Sequence, residues 1–354
     1  MRFAETLLLW YEAHARHLPW RGTGNPYHVW LSEVILQQTR VSQGTSYYFR
    51  FLEQFPTIEA LAAAPIDEVM KCWQGLGYYT RARNLHKAAQ VVVTQHGGQL
   101  PADYEALRTL PGLGPYAAGA VASFAFNLPV PAIDGNGYRV LARVFGRFEE
   151  IAQGAGQRAF RELALAEMDT SRPADFNQAL IDFGATQCLP GVPDCAPCPM
   201  RASCYAYAHE QQGVLPVKAR KIELRKRYFH YVILLHEGKT YLELRRGRDI
   251  WHSLYQFPLI ETPEAFDFAS LRQTRPFEAL VGMTPYTLRK EFPERVQKLT
   301  HQELHLRFFV VDSPVWLAEP YQQVRLMALP SYQVPIAIAR VVEELLAWEQ
   351  GELR

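Results

Sequence analysis

Residues 110–116 read LPGLGPY, and a run of small residues, AAGAVASFAF, follows at 117–126. Leu107–Leu110 closes one helical stretch and Tyr116 opens the next. Gly112 and Gly114 supply backbone conformations closed to other residues and let a ligand come close. The second helix presents free backbone N–H groups and the positive end of its dipole. Such a turn suits one phosphate of a nucleic-acid backbone and needs no charged side chain. The same spacing also serves a tight helix–helix connection with no ligand.

Outward from this turn, the chain of 354 residues is long enough for two ordinary domains. It is 48% apolar, so each half can bury a core. The net charge of +1 is low for a nucleic-acid protein, so a phosphate partner must be argued from local features. The opening MRFAETLLLWYEAHA is bounded by Glu5 and Glu12 and reads as an amphipathic helix, not a signal peptide. No apolar run is long enough for a membrane span. The expectation is a soluble, intracellular protein without low-complexity tracts or fixed-period repeats.

Up to about residue 210 the pattern is helical, at 58–64, 66–74, 81–96, 103–109, 116–126, 138–147, 157–168 and 175–186. A basic stretch follows. Six of the ten residues from Lys218 to Arg227 are Lys or Arg, which suits either a solvated tether or a segment along a phosphate backbone. Beyond it, YFHYVILLHE, KTYLELRRG, LYQFPLIE and HLRFFVVD are strand-like, with helices expected at 264–273 and 334–350. This half reads as a small α+β domain.

Four of the five cysteines fall in QCLPGVPDCAPCPMRASC as Cys188, Cys195, Cys198 and Cys204. A chain without an export signal seldom pairs them as disulfides. Four clustered thiolates in a reducing compartment share a metal, zinc or an iron–sulfur cluster. Cys72, in VMKCWQGLGYY, reads as plain core.

Two carboxylates stand out. In PYHVWLSEVILQQTR (26–40), a helix with Pro at its start, Glu33 shares a face with Val29, Trp30 and Leu36. Apolar neighbours keep such an acid protonated near neutral pH, unless Arg16 or Arg21 pairs with it. In PVPAIDGNGYRVLARVF (129–145), Asp134 precedes a Gly-Asn-Gly turn into a helix. It is a helix cap, or an ionised second carboxylate. Two carboxyls in opposed environments are what cleavage of a glycosidic bond needs.

Taken together, the helix–glycine turn–helix, the downstream Asp134 and the C-x6-C-x2-C-x5-C spacing resemble the helix-hairpin-helix DNA glycosylases of the endonuclease III superfamily. Within it, LPWR (18–21), SEVILQQTRV (32–41), GLGYYTRARNLH (75–86), LPGLGPYAAGAV (110–121) and DGN (134–136) look like the adenine DNA glycosylases of the MutY type. The motifs are dense over 16–204. The second half is similar to the Nudix-like domain of the same enzymes, through its strand pattern and the segment WHSLYQFPL.

That resemblance implies a multidomain fold. A helical glycosylase domain at 1–217 would hold a [4Fe-4S] cluster on its loop at 188–204, a basic linker would run over 218–227, and an α+β Nudix-like lesion-recognition domain would occupy 228–354. It implies a base-excision enzyme acting on double-stranded DNA with an 8-oxoguanine:adenine mispair, as a bacterial, nucleoid-associated monomer of the cytoplasm. Glu33 would be the acid and Asp134 the carboxylate facing the sugar, positioned by Asn136 and Tyr116. Gln38 would fill the gap in the base stack, with Leu36, Thr39 and Tyr78 beside it. Arg16, Trp20 and Arg21 would line the base pocket, and Gly112 and Gly114 would hold backbone phosphate.

In the bifunctional relatives the residue that ends the hairpin is a lysine that forms a Schiff base. Tyr116 cannot form an imine, which speaks against an endonuclease III-like lyase. A non-catalytic iron–sulfur DNA-binding protein would have no use for both carboxylates. Other departures are local. The family's Phe-Ser-His lesion loop is Leu299, Thr300 and His301 here. The loop LPGVPD between the first two cysteines carries no Lys or Arg, and no G-x5-E-x7-REUxEE helix stands in the second half to bind magnesium (U is an aliphatic residue).

Overall fold

The computed structural model describes residues 2–217, 224–247, 249–299 and 301–351. The chain divides into two units, one helical and one that comprises the sheets and the short segment Trp73–Tyr79.

The helical unit runs α1 (Phe3–His14), α2 (Pro26–Leu36), α3 (Val41–Gln54), α4 (Ile58–Ala63), α5 (Ile66–Trp73), α6 (Thr80–His96), α7 (Tyr104–Thr109), α8 (Pro115–Phe126), α9 (Gly135–Phe145), α10 (Gly154–Glu167), α11 (Pro173–Thr186) and the short α12 (Tyr205–Ala208). Local chemistry sets their starts. Asn25 accepts a hydrogen bond from the Tyr27 N–H at 2.9 Å, and Pro26 needs no partner for its nitrogen. Thr57 and Asp103 cap α4 and α7 in the same way. The helix expected at 138–147 begins at Gly135, because Asp134 caps it with both the Asn136 and Gly137 N–H groups. The helix expected to run toward residue 40 stops at Leu36, where the backbone turns away.

At the centre lies α8, whose residues Ala117–Ser123 are all buried. It packs against α2, α7 and α11. The run of small residues has a steric reason: a Cβ added at Gly119 would lie 2.6 Å from the carbonyl oxygen of Pro131. Bulk there would push away the extended segment that leads to Asp134. Asn177 on α11, fully buried, fixes that segment. Its Oδ1 accepts from the Ala132 N–H at 2.9 Å, and its Nδ2 donates to Ser123 Oγ at 2.8 Å and to the Val130 carbonyl at 2.9 Å. One amide thus joins α8, the extended segment and α11.

The second unit holds two sheets. Strands β1 (Arg225–Leu235), β4 (Leu259–Thr262), β5 (Thr287–Lys298) and β6 (Gln302–Asp312) form one sheet in the order β4-β1-β6-β5, with β1 and β6 parallel. Strands β2 (Lys239–Leu244), β3 (Tyr255–Gln256) and β7 (Tyr321–Arg325) form the other, ordered β3-β2-β7. Alternate residues of β1 serve two cores. Phe229, Tyr231 and Ile233 pack with helix α15 (Ile336–Glu349), and Val232 and Leu234 pack with α13 (Phe268–Leu271) and α14 (Arg275–Val281). Strands buried on both faces read as continuous apolar runs, which is how YFHYVILL stands out. No helix among the described residues is long and apolar enough to cross a membrane.

Two expectations need correction. The helix expected at 264–273 is only the single turn α13, and α14 follows it. The basic stretch expected as a linker over 218–227 is part of the sheet at its end: Lys218–Glu223 lie outside the described residues, but Arg225–Arg227 pair with Gln302–Leu304. Arg227 is buried, and its guanidinium reaches Glu261 at 2.7 Å and Asp249 at 2.9 Å, so two carboxylates already hold it.

Asn177→Ala should cost about 3 kcal/mol of stability, since it leaves a buried N–H and a buried carbonyl unpaired. Denaturant unfolding checks it; a loss under about 1 kcal/mol would show that the extended segment is held by other means.

Candidate active site and cysteine loop

A cavity of about 480 Å3 opens in the helical unit. Of the residues singled out in the sequence, Arg16, Trp20, Arg21, Glu33, Leu36, Thr39, Tyr116, Asp134 and Asn136 all line it. Gln38 and Tyr78 are exposed and do not line it. Gly112 lies in the hairpin between α7 and α8 with φ of 82°, and a Cβ there would sit 2.8 Å from Cβ of Asn84 on α6. Its glycine is needed for both reasons, whereas Gly114 departs from expectation: it is extended, with φ −71°, and a Cβ there would meet nothing within 4 Å. Thr300 lies outside the described residues, and His301 is exposed in the other unit.

Glu33 is almost fully buried on α2. Its carboxyl is pushed up to about 7: loss of hydration dominates, the hydroxyl of Tyr116 donates to it and opposes the rise, the charge of Asp134 adds to it, and that of Arg21 opposes it. Burial comes first for Tyr116 as well, and the two carboxylates raise its phenol further. Tyr116 therefore stays protonated and remains a donor.

Asp134 enters the cavity from the N-terminus of α9. Burial raises its pKa and prevails, but N–H donors limit the rise: Gly137 at 2.8 Å, the Asn136 side chain at 2.7 Å and the Asn136 backbone at 2.9 Å. The cap and the chemical group are one side chain. Its donors favour the ionised form, whereas Glu33 is held near neutrality by its apolar surroundings.

The sequence does not announce Asp182. It sits on α11 within ALIDFGA and is fully buried. Burial raises its pKa, but the guanidiniums of Arg21 and Arg16 and the Arg16 N–H outweigh that and hold it below the usual carboxylate range. Arg16 Nε donates at 2.7 Å, and Arg21 Nη1 and Nη2 donate at 2.7 and 2.9 Å. The arginines that could have paired with Glu33 are thus held by Asp182. Gln178, one turn earlier, also lines the cavity, and Tyr11 donates to its Oε1 at 2.8 Å. Only a buried acid inside an apolar helix hinted at Asp182 in the sequence.

Behind Asp134 lies the cysteine loop. Arg139 on α9 donates to Asn136 Oδ1 at 2.9 Å, to the Gly184 carbonyl at 2.7 Å and to the Cys188 carbonyl at 2.8 Å. One turn on, buried Arg143 donates to the carbonyls of Leu189, Gly191, Gln212 and Leu215, and its Nη1 lies 3.4 Å from Cys188 Sγ. Cys188, Cys195, Cys198 and Cys204 line one small cavity with Arg143 and Arg201. Burial pushes the Cys198 thiol up to about 11 and raises that of Cys204. Thiols so placed become thiolates only with a metal's charge beside them. Among the described residues no three metal-binding side chains converge closely enough for a single ion. Cys72 is buried apart from these four cysteines, as the sequence suggested. At the loop's tip Val192 is fully exposed.

Residues 31–164 match the profile of the HhH-GPD superfamily base excision DNA repair proteins. The chain is 37% identical over 262 residues to the adenine DNA glycosylase of Buchnera aphidicola subsp. Baizongia pistaciae, an overlap of 72% of this chain and 73% of that one. It is 41% identical over 222 residues to the human adenine DNA glycosylase, covering 60% of this chain and 41% of the human protein. A solved structure of a thermostable thymine-DNA glycosylase superposes with a TM-score of 0.54 at 31% identity, over 58% of this chain and 95% of that one.

The elevated Glu33 has a consequence for stability. A carboxyl whose folded-state pKa lies above its unfolded value weakens the fold as pH rises between the two, here from about 4.5 to about 7. Glu33→Gln should therefore be more stable than the parent by about 3 kcal/mol at pH 8 but by less than about 1 kcal/mol at pH 5. Unfolding curves at the two pH values decide it; an equal gain at both would mean that Glu33 is not held protonated.

Proposed function

The chain belongs to the adenine DNA glycosylases of the HhH-GPD superfamily, and we propose that its particular target is adenine paired with 8-oxoguanine in duplex DNA. It removes adenine in base excision repair. The observation that carries the catalytic assignment is the single cavity in which a carboxyl raised to about 7, a protonated phenol and an N–H-bound carboxylate meet.

The adenine is extruded from the stack at a cost of a few kcal/mol, least for a mispair. Glu33 protonates its N7, so that the C1′–N9 bond breaks with neutral adenine leaving. Asp134 faces the cation that develops on the sugar, and water completes the hydrolysis. Asn136 orients Asp134 through the 2.7 Å hydrogen bond. Arg16, Trp20 and Arg21 shape the base pocket, with Asp182 fixing the two guanidiniums. Gln38 enters the vacated position, flanked by Leu36 and Thr39, Tyr78 is a further contact to the DNA, and the hairpin at Gly112 and Gly114 takes a phosphate through backbone N–H groups. Tyr116 has no amine, so the enzyme releases the base without cutting the strand.

Cys188, Cys195, Cys198 and Cys204 hold a [4Fe-4S] cluster in this reading. Arg143 and Arg139 brace the loop around it, and Arg139, through Asn136, braces Asp134. The sheet unit, whose first strand begins at Arg225, is the Nudix-like reader of the opposite strand. Thr300 and His301 supply its contact with 8-oxoguanine.

The deciding assay is strand scission of an 8-oxoguanine:adenine duplex with and without hot alkali. The protein should nick only after alkali, and faster than with guanine:adenine. Nicking without alkali would make it a lyase, and none at all a binding protein. Glu33→Gln should slow release by at least ~10²–10⁴ while still binding the duplex. A rate near the parent's would remove Glu33 as the acid. Purified protein should carry about four irons per chain; one zinc per chain would refute the cluster.

A further inference from the structure

Helix α2 carries Glu33 and ends in a turn that a non-glycine residue should resist. The Thr39 N–H donates to the Leu36 carbonyl at 3.1 Å. Between them Gln37 has φ −56° and ψ 111°, and Gln38 has φ 57°. This is a type II turn, which places glycine or asparagine at the third position. Glutamine there is strained, and strain of this kind persists only where the surroundings over-determine it. Arg81 on α6 supplies that constraint. Its Nη1 reaches the carbonyls of Val34 at 3.0 Å, Ile35 at 2.9 Å and Gln37 at 2.5 Å, and its Nη2 lies 3.4 Å from Thr39 Oγ1. The cation sits where α2 leaves its last carbonyls unpaired and its dipole is negative.

We infer that Arg81 is a positioning residue for base extrusion: it locks the Leu36–Thr39 turn so that the exposed Gln38 is presented in the conformation that enters the base stack. The inference rests on the proposed insertion of Gln38. Without the clamp the turn relaxes toward negative φ, and only a fraction of molecules can insert. Apparent extrusion falls by that fraction, while Glu33 and Asp134 keep their places.

The test uses the full chain with its cluster loaded. The duplex carries 2-aminopurine beside the target adenine, opposite a strand with 8-oxoguanine. Fluorescence reports loss of stacking, recorded in a Glu33→Gln background that prevents turnover. Single-turnover release is measured in the parent background. Arg81→Met should reduce the fluorescence rise by about tenfold, as Gln38→Ala does, and slow release by a similar factor. The pH midpoint of release should stay at the parent's value, which a general loss of structure would not leave in place. Arg81→Lys, which keeps the charge but not the fork, should recover part of both signals. If Gln38→Ala lowers the fluorescence and Arg81→Met does not, Arg81 is not the clamp. If neither lowers it, the insertion of Gln38 itself is wrong and the inference falls with it.

Discussion

Close packing around α8 is the constraint on which the site depends. Its residues from Ala117 to Ser123 are buried and small, so three other elements come near its axis. From one side α2 delivers Glu33, and from another α11 delivers Asp182 and Asn177. The extended segment before Asp134 passes so close that Gly119 has no room for a Cβ. The N-terminus of α8 itself carries the hairpin and Tyr116. A larger side chain in this helix would separate the carboxylates before it touched either of them. Interiors packed as densely as crystals transmit such displacements instead of absorbing them.

Three carboxyl groups lie in or beside one cavity, and each meets a different environment. Glu33 has apolar neighbours and a single hydroxyl donor, and burial prevails. Asp134 is raised by burial as well, but three N–H donors at 2.7–2.9 Å work against that rise. Asp182 has two guanidiniums, and their charge prevails although it is fully buried. The same functional group thereby meets three different electrostatic environments, which suit the roles of acid, cation partner and anchor proposed for it. Environment, not residue type, assigns the work. The cysteine loop joins this arrangement mechanically: Arg139 grips the Cys188 carbonyl and Asn136 together, so order in the loop bears on the aim of Asp134.

Much of this was legible in the chain. Capping residues and proline marked the helix starts, because those effects are local in sequence. The apolar run of β1 showed because a strand buried on both faces needs it. Strand β5 did not show: TLRKEFPERVQK is charged and fully buries only Phe292, and the sheet order puts it at an edge, where solvation and charge replace burial. Arg225–Arg227 looked like a tether because a run of like charge carries no trace of the acids that will meet it. Those acids, Asp249 and Glu261, are more than 20 residues away.

The sequence by itself determined the cluster of four cysteines, the hairpin glycine Gly112, the tyrosine that cannot form an imine and the pair of candidate carboxylates. Each rests on residue type and short-range spacing, which the chain states directly. Only the tertiary structure decided what Glu33 meets, since Arg16 and Arg21 turn from it to Asp182, some 160 residues on. It alone placed Arg81 on the end of α2 and Arg139 between Asn136 and Cys188. A charge or a hydrogen bond acts over a few ångströms in space, whatever the distance along the chain. Partners brought together by packing are therefore fixed by the fold, not by the local pattern.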